Sequence, residues 1–98
     1  MAFSLRLTDE AKATLGNLQN DGGLAKRLKA VRKTLARLES NPRHAGLQTH
    51  RFHSLAGPRG EHVFEAYAEQ ATPAAYRVFW YYGPEKGKIT IVAIIGHP

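Results

Sequence analysis

The chain has no cysteine, which excludes disulfides, thiolate metal sites and a cysteine nucleophile, and points to a reducing, intracellular setting. Long apolar runs are missing too. The longest, Ile91 to Ile95, falls far short of a membrane span. Residues Met1 to Leu7 alternate in character and carry no signal-peptide core. There is no P-loop, no Gly-x-Gly-x-x-Gly following a strand, and no His-Glu-x-x-His helix. No internal repeat occurs, and no linker is long enough to divide the 98 residues. One soluble, cytoplasmic domain over residues 1–98 is expected, and a hydrophobic content of 43% is too high for a disordered chain.

Acidic residues are scarce in one stretch. Residues 22–60 hold nine basic side chains and a single acid, Glu39, a net of +8, whereas residues 1–21 and 61–98 each carry −1. A positive field so concentrated favours nucleic acid, an acidic protein partner or anionic lipid. Lipid is the weakest of the three, because no strongly apolar amphipathic segment with aromatic anchors accompanies the charge.

The order of elements follows from periodicity. Phe3, Leu5 and Leu7 alternate with polar residues, as in a strand. Thr8-Asp9-Glu10 reads as a helix cap followed by acids that complement the dipole, and Ala11, Leu15 and Leu18 carry that helix to about Gln19. Asn20-Asp21-Gly22-Gly23 breaks it. Leu24, Leu28, Val31, Leu35 and Leu38 then form one stripe of a second helix, basic on its other faces, which Ser40-Asn41-Pro42 ends. Three stretches have strand character: His62–Ala68, Tyr76–Tyr82 and Ile89–Ile95, the last nearly all apolar and expected to be central. Residues 47–55 suit either a short strand or an irregular arm before the Gly57-Pro58-Arg59-Gly60 turn. The class is α+β: a β-α-α hairpin followed by an antiparallel meander of three or four strands.

A few residues stand out chemically. Gly57-Pro58-Arg59-Gly60 can cradle a phosphate, but an ordinary hairpin turn is the simpler reading. His50 and His53 flank Arg51; in an extended segment they point to opposite faces, so a shared metal would need a turn there, and a bare pair is weak support for one. His97 follows the last apolar strand after a single glycine. Arg77 lies inside the aromatic run Tyr-Arg-Val-Phe-Trp-Tyr-Tyr, an unusual place for a guanidinium. Either it pairs with Glu65 on the neighbouring strand or it presents its charge to a phosphate. Phe79, Trp80, Tyr81, Tyr82 and Tyr67 belong mostly to the core, although an open sheet face would let one or two stack on bases.

These residues resemble the RelE/ParE superfamily of bacterial toxins. The resemblance runs over essentially the whole chain. It rests on the element order, on Leu-Glu-Ser-Asn-Pro-Arg at 38–43, on Gly46-Leu47-Gln48-Thr49-His50, on Tyr76-Arg77-Val78-Phe79-Trp80-Tyr81, and on the apolar last strand ending at His97. In the RelE-like branch it implies metal-independent, cofactor-free cleavage of mRNA on the ribosome, by attack of a ribose 2′-OH on the adjacent phosphorus. Arg77 matches the family's arginine on the scissile phosphate, His97 an acid/base histidine, and Glu65 a position where some members have a base. His50 matches a histidine of the histidine-rich members, with Arg51 and His53 beside it; together with Lys29, Arg32 and Lys33 of the basic helix these are the expected RNA contacts. No lysine lies between Lys33 and Lys86, a departure from the lysine-rich pattern that favours the histidine/carboxylate version. The resemblance also implies a cognate antitoxin, with an acidic, partly disordered segment that folds onto the toxin. On the same fold, a ParE-like inhibitor of DNA gyrase without nuclease activity, or an inactive antitoxin-binding module, is the alternative.

Overall fold

The computed structural model describes residues 2–70 and 72–96. Strand β1 (Ser4–Leu7) leads directly into helix α1 (Asp9–Asn20), and Thr8 controls the junction. Its hydroxyl accepts from the Ala11 N–H at 3.2 Å, capping the helix, and donates to the Val92 carbonyl at 2.6 Å. The glycine break contains one 3-10 turn, Gly22–Leu24, held by the Asp21 carboxylate, which accepts from the Gly23 N–H at 2.9 Å. Helix α2 (Ala25–Ser40) follows and stops at Asn41, just before Pro42.

The rest of the chain is sheet: β2 (His50–Ala56), β3 (His62–Tyr67), β4 (Tyr76–Tyr82) and β5 (Lys88–Gly96), in the spatial order β1-β5-β4-β3-β2. Strands β2 to β5 form the antiparallel meander. β1 joins β5 in parallel, with Leu5 opposite Ile89 and Leu7 opposite Ile91. The helix pair lies in the connection between these two strands, and a parallel pair needs a long crossover of this kind. The middle strand is therefore β4, and β5, expected to be central, lies beside it with a neighbour on each side. The segment left open between strand and arm is the seven-residue edge strand β2, irregularly paired between Arg51 and Ala56. Gly57–Gly60 is the β2–β3 hairpin turn, with Gly60 at φ +81°.

The two faces of the sheet are unequal. On one, Val78, Trp80, Ile89, Ile91 and Ile94 are buried against Ala11, Leu18, Val31 and Leu38 of the helices. Each large aliphatic side chain so buried contributes about 1.5–3 kcal/mol relative to exposure. The other face carries a smaller cluster, Val63, Phe79, Tyr81 and Ala93, flanked by Phe52 and Val92, with no helix laid over it. Among the described residues no helix is long and apolar enough to cross a membrane.

Candidate functional site

The helix-free face holds the one group of charged side chains brought together across strands among the described residues. Strand alternation puts Val63, Glu65 and Tyr67 of β3 on this face with Arg77, Phe79 and Tyr81 of β4. In register, Glu65 lies opposite Phe79 and Tyr67 opposite Arg77, so Glu65 and Arg77 are diagonal neighbours. On its other side Glu65 lies directly opposite His50 of β2.

Glu65 bridges the two. Its Oε1 meets His50 Nε2 at 2.6 Å, and its Oε2 accepts from Arg77 Nη1. The carboxylate side chain is only 3% exposed, Arg77 is 18% exposed and His50 is 51% exposed. A carboxylate this deeply buried requires a charged partner, and Arg77 supplies it. Arg77 Nε is also buried and has no partner among the described residues. The guanidinium carbon lies 5.6 Å from the Phe79 ring centroid, and the Tyr67 ring lies 5.6 Å from the His50 ring. These aromatics flank the charged row, with Phe79 beside the arginine and Tyr67 beside the half-exposed imidazole.

The arrangement has definite chemical capacities. With a carboxylate on Nε2, the proton there is held, and Nδ1 becomes the nitrogen through which His50 can exchange one. Nδ1 has only a long approach of 3.4 Å from the Gln48 carbonyl. Glu65 has both oxygens engaged and is positioned to orient its neighbours. Arg77 provides a fixed positive charge beside the exposed imidazole.

The remaining expected site residues are scattered. Arg51 lies opposite Phe64, whose side chain packs on the helix-side core, so Arg51 shares that face and not that of His50. His53 is exposed in the irregular part of β2. Lys29, Arg32 and Lys33 are exposed on α2, which covers the opposite face of the sheet. His97 lies outside the described residues. No group of three or more His, Asp or Glu among the described residues has the geometry to hold a metal ion. Tyr67, one of the aromatics named as able to stack from an open sheet face, lies beside His50 on this face. No feature of the sequence signals the link from His50 to the Gln48 carbonyl, since Gln48 reaches it from a left-handed conformation at φ +47°.

The fold is that of the RelE/ParE-like toxins. The chain is similar to a YoeB/ParE toxin from Agrobacterium tumefaciens, at a TM-score of 0.70 and 10% identity, over 97% of this chain and 99% of that one. It is also similar to a chain of an archaeal RelE–RelB complex from Pyrococcus horikoshii, at a TM-score of 0.66 and 14% identity, over 98% and 96% of the two chains. Against a chain of the toxin–antitoxin complex RelBE2 from Mycobacterium tuberculosis the TM-score is 0.63 at 18% identity, over 99% and 100%. No family model matches the sequence, and no curated protein does.

Proposed function

We propose that this chain is the toxin of a toxin–antitoxin pair and that it cleaves mRNA on the ribosome without a metal ion. The observation that carries the nuclease reading is the buried Glu65 carboxylate joining an accessible histidine to an arginine on the open sheet face. The toxin reading draws support from structural relatives that are themselves toxins, or chains of toxin–antitoxin complexes.

In the proposed reaction, His50 Nδ1 takes the proton of a ribose 2′-OH as its oxygen attacks the adjacent phosphorus. The bond from phosphorus to the leaving 5′-oxygen breaks, leaving a 2′,3′-cyclic phosphate, and His97 protonates the departing oxygen. Glu65 holds the His50 ring and stabilises the imidazolium as it forms, the role a buried carboxylate plays beside a general-base histidine. Arg77 stabilises the charge that builds on the phosphorane. An acidic antitoxin segment lies against the exposed cations of α2 and silences the toxin.

The test is single-turnover cleavage of ribosome-bound mRNA, with a substrate carrying a 2′-deoxy sugar at the cut site as control. Cleavage to a cyclic phosphate end with the ribose substrate alone is expected. If the deoxy substrate is cut, or if His50→Ala and Arg77→Ala both keep full rate, the assignment is wrong. Filamentation with a DNA-damage response on expression, in place of arrested translation, points instead to inhibition of gyrase.

A further inference from the structure

A pocket of about 370 Å³ opens on the helix side of the sheet, between the α2–β2 loop and strands β3 and β4. Three aromatic rings wall it. Phe64 and Trp80 lie 5.1 Å apart, Trp80 and Tyr82 lie 4.9 Å apart at 80°, and Phe64 and Tyr82 lie 6.0 Å apart at 75°. The loop supplies Arg43, His44, Gln48 and Thr49. Two of the lining residues carry buried polar atoms with no hydrogen-bond partner among the described residues, the Trp80 indole N–H and the Thr49 hydroxyl. Trp80 is 1% exposed as a residue. A buried donor without an acceptor in a well-packed fold calls for a missing partner.

We infer that this pocket binds one nucleotide unit, with its base among the aromatic rings and its phosphate at Arg43 and His44. Mutually tilted aromatic rings also suit a quaternary ammonium group, but Arg43 in the lining and the surrounding excess of basic residues repel a cation. An anionic ligand with a flat ring fits both features. Nucleobases present carbonyl and ring-nitrogen acceptors at their edges, which the indole N–H and the threonine hydroxyl lack, and any base can stack on an aromatic face. His44 is set up for a phosphate: its Nδ1 accepts from the Gly46 N–H at 2.8 Å, which leaves Nε2 as the donor. The volume lies near the lower end for small-ligand pockets and suits one nucleotide better than two.

The pocket is separate from the row formed by His50, Glu65 and Arg77, which lies on the other face of the sheet. The two are linked through the chain itself: Gln48 and Thr49 line the pocket, and the next residue is His50. The nucleotide can be free or can be one residue of a single-stranded RNA passing around the β2 edge. Binding is measured without turnover, so a chain that cuts nothing can still satisfy this inference, and failure here leaves the cleavage reading intact.

Trp80 is the only tryptophan, so its indole N–H gives a single side-chain NMR signal that reports on the pocket directly. The whole chain is titrated with a nucleoside 5′-monophosphate, the matching nucleoside, inorganic phosphate, a short single-stranded RNA and an acidic peptide. A saturable shift of the Trp80 signal with the monophosphate is expected, weakened at least about tenfold by removing the phosphate or by Arg43→Ala. Tyr82→Ala, with folding checked by circular dichroism, should weaken it as well. The same Arg43-dependent shift with RNA alone also supports the pocket and assigns the nucleotide to the RNA chain. The inference is overturned if neither nucleotide nor RNA moves the signal, if only the peptide does, or if Arg43→Ala and Tyr82→Ala leave the affinity unchanged.

Discussion

His50 and Glu65 face each other directly across the β2–β3 pair, Nε2 to Oε1 at 2.6 Å, one side chain half exposed and the other almost wholly buried. The ion pair that Glu65 makes with Arg77 on its far side lets the carboxylate stay charged at that depth. Stability and the proposed reaction therefore draw on the same three side chains, and substitutions can separate the two.

Glu65→Leu should destabilise the fold by about 2–4 kcal/mol, at the lower side of losses for broken buried pairs because Arg77 keeps some exposure. The double variant Glu65→Leu/Arg77→Leu should recover most of that loss, since no lone charge is then left inside, while activity stays absent. Urea denaturation of the two single variants and the double variant measures the coupling. Strictly additive losses would mean that the pair is not an energetic unit.

Arginine stays charged at every accessible pH, so Arg77→Ala should lower the cleavage rate uniformly and leave the shape of the pH–rate profile unchanged. A histidine that transfers a proton behaves differently: His50→Ala and His97→Ala should each flatten one limb, with a loss of about 100-fold to 10,000-fold at the optimum. Glu65→Gln preserves shape and packing and should cost less than Arg77→Ala. A profile for His50→Ala with both limbs intact would remove it as a proton-transfer residue.

Thr8 serves a helix and a strand at once. The Phe79–Ala93 and Trp80–Ile91 pairs leave Val92 with no opposite residue on β4, and the Thr8 hydroxyl takes up the Val92 carbonyl. Thr8→Ala should cost about 1–2 kcal/mol, at or above the usual loss for a helix cap, because a strand carbonyl is stranded with it. Thr8→Val, nearly the same shape, should lose as much. Thermal melts of both variants provide the check, and a neutral Thr8→Val would contradict the shared role.

Arg27 is not free to meet the proposed antitoxin. Its guanidinium donates to the carbonyls of Ala74 at 2.8 Å and Pro73 at 2.7 Å and lies 5.4 Å from the Tyr76 ring centroid, fastening α2 to the β3–β4 loop. Lys26, Lys29 and Arg32 are exposed on the same helix. Stopped-flow association with an acidic antitoxin should slow as ionic strength rises. Charge reversal at Lys26, Lys29 or Arg32 should slow it further, and Arg27→Ala should change it least. An on-rate indifferent to salt would remove α2 as the steering surface.

The local features of this protein were legible in the amino-acid order. The stripe from Leu24 to Leu38, the Thr8 cap, the proline stop after α2 and the β-branched and aromatic runs each act within a few residues, where backbone geometry fixes the period. Arg77 was conspicuous for the same reason, as a charge inside a strand that otherwise buries apolar side chains. What lay beyond the sequence was which strands meet, and in what register. The parallel β1–β5 pair, β4 rather than β5 at the middle, and β2 as a paired edge strand all depend on contacts far apart along the chain. So does the division of the basic residues, with His50 on the open face and Lys29, Arg32 and Lys33 behind the sheet. A shift of one residue in the β2–β3 register would turn His50 away from Glu65, and only the packing of the whole sheet settles that register.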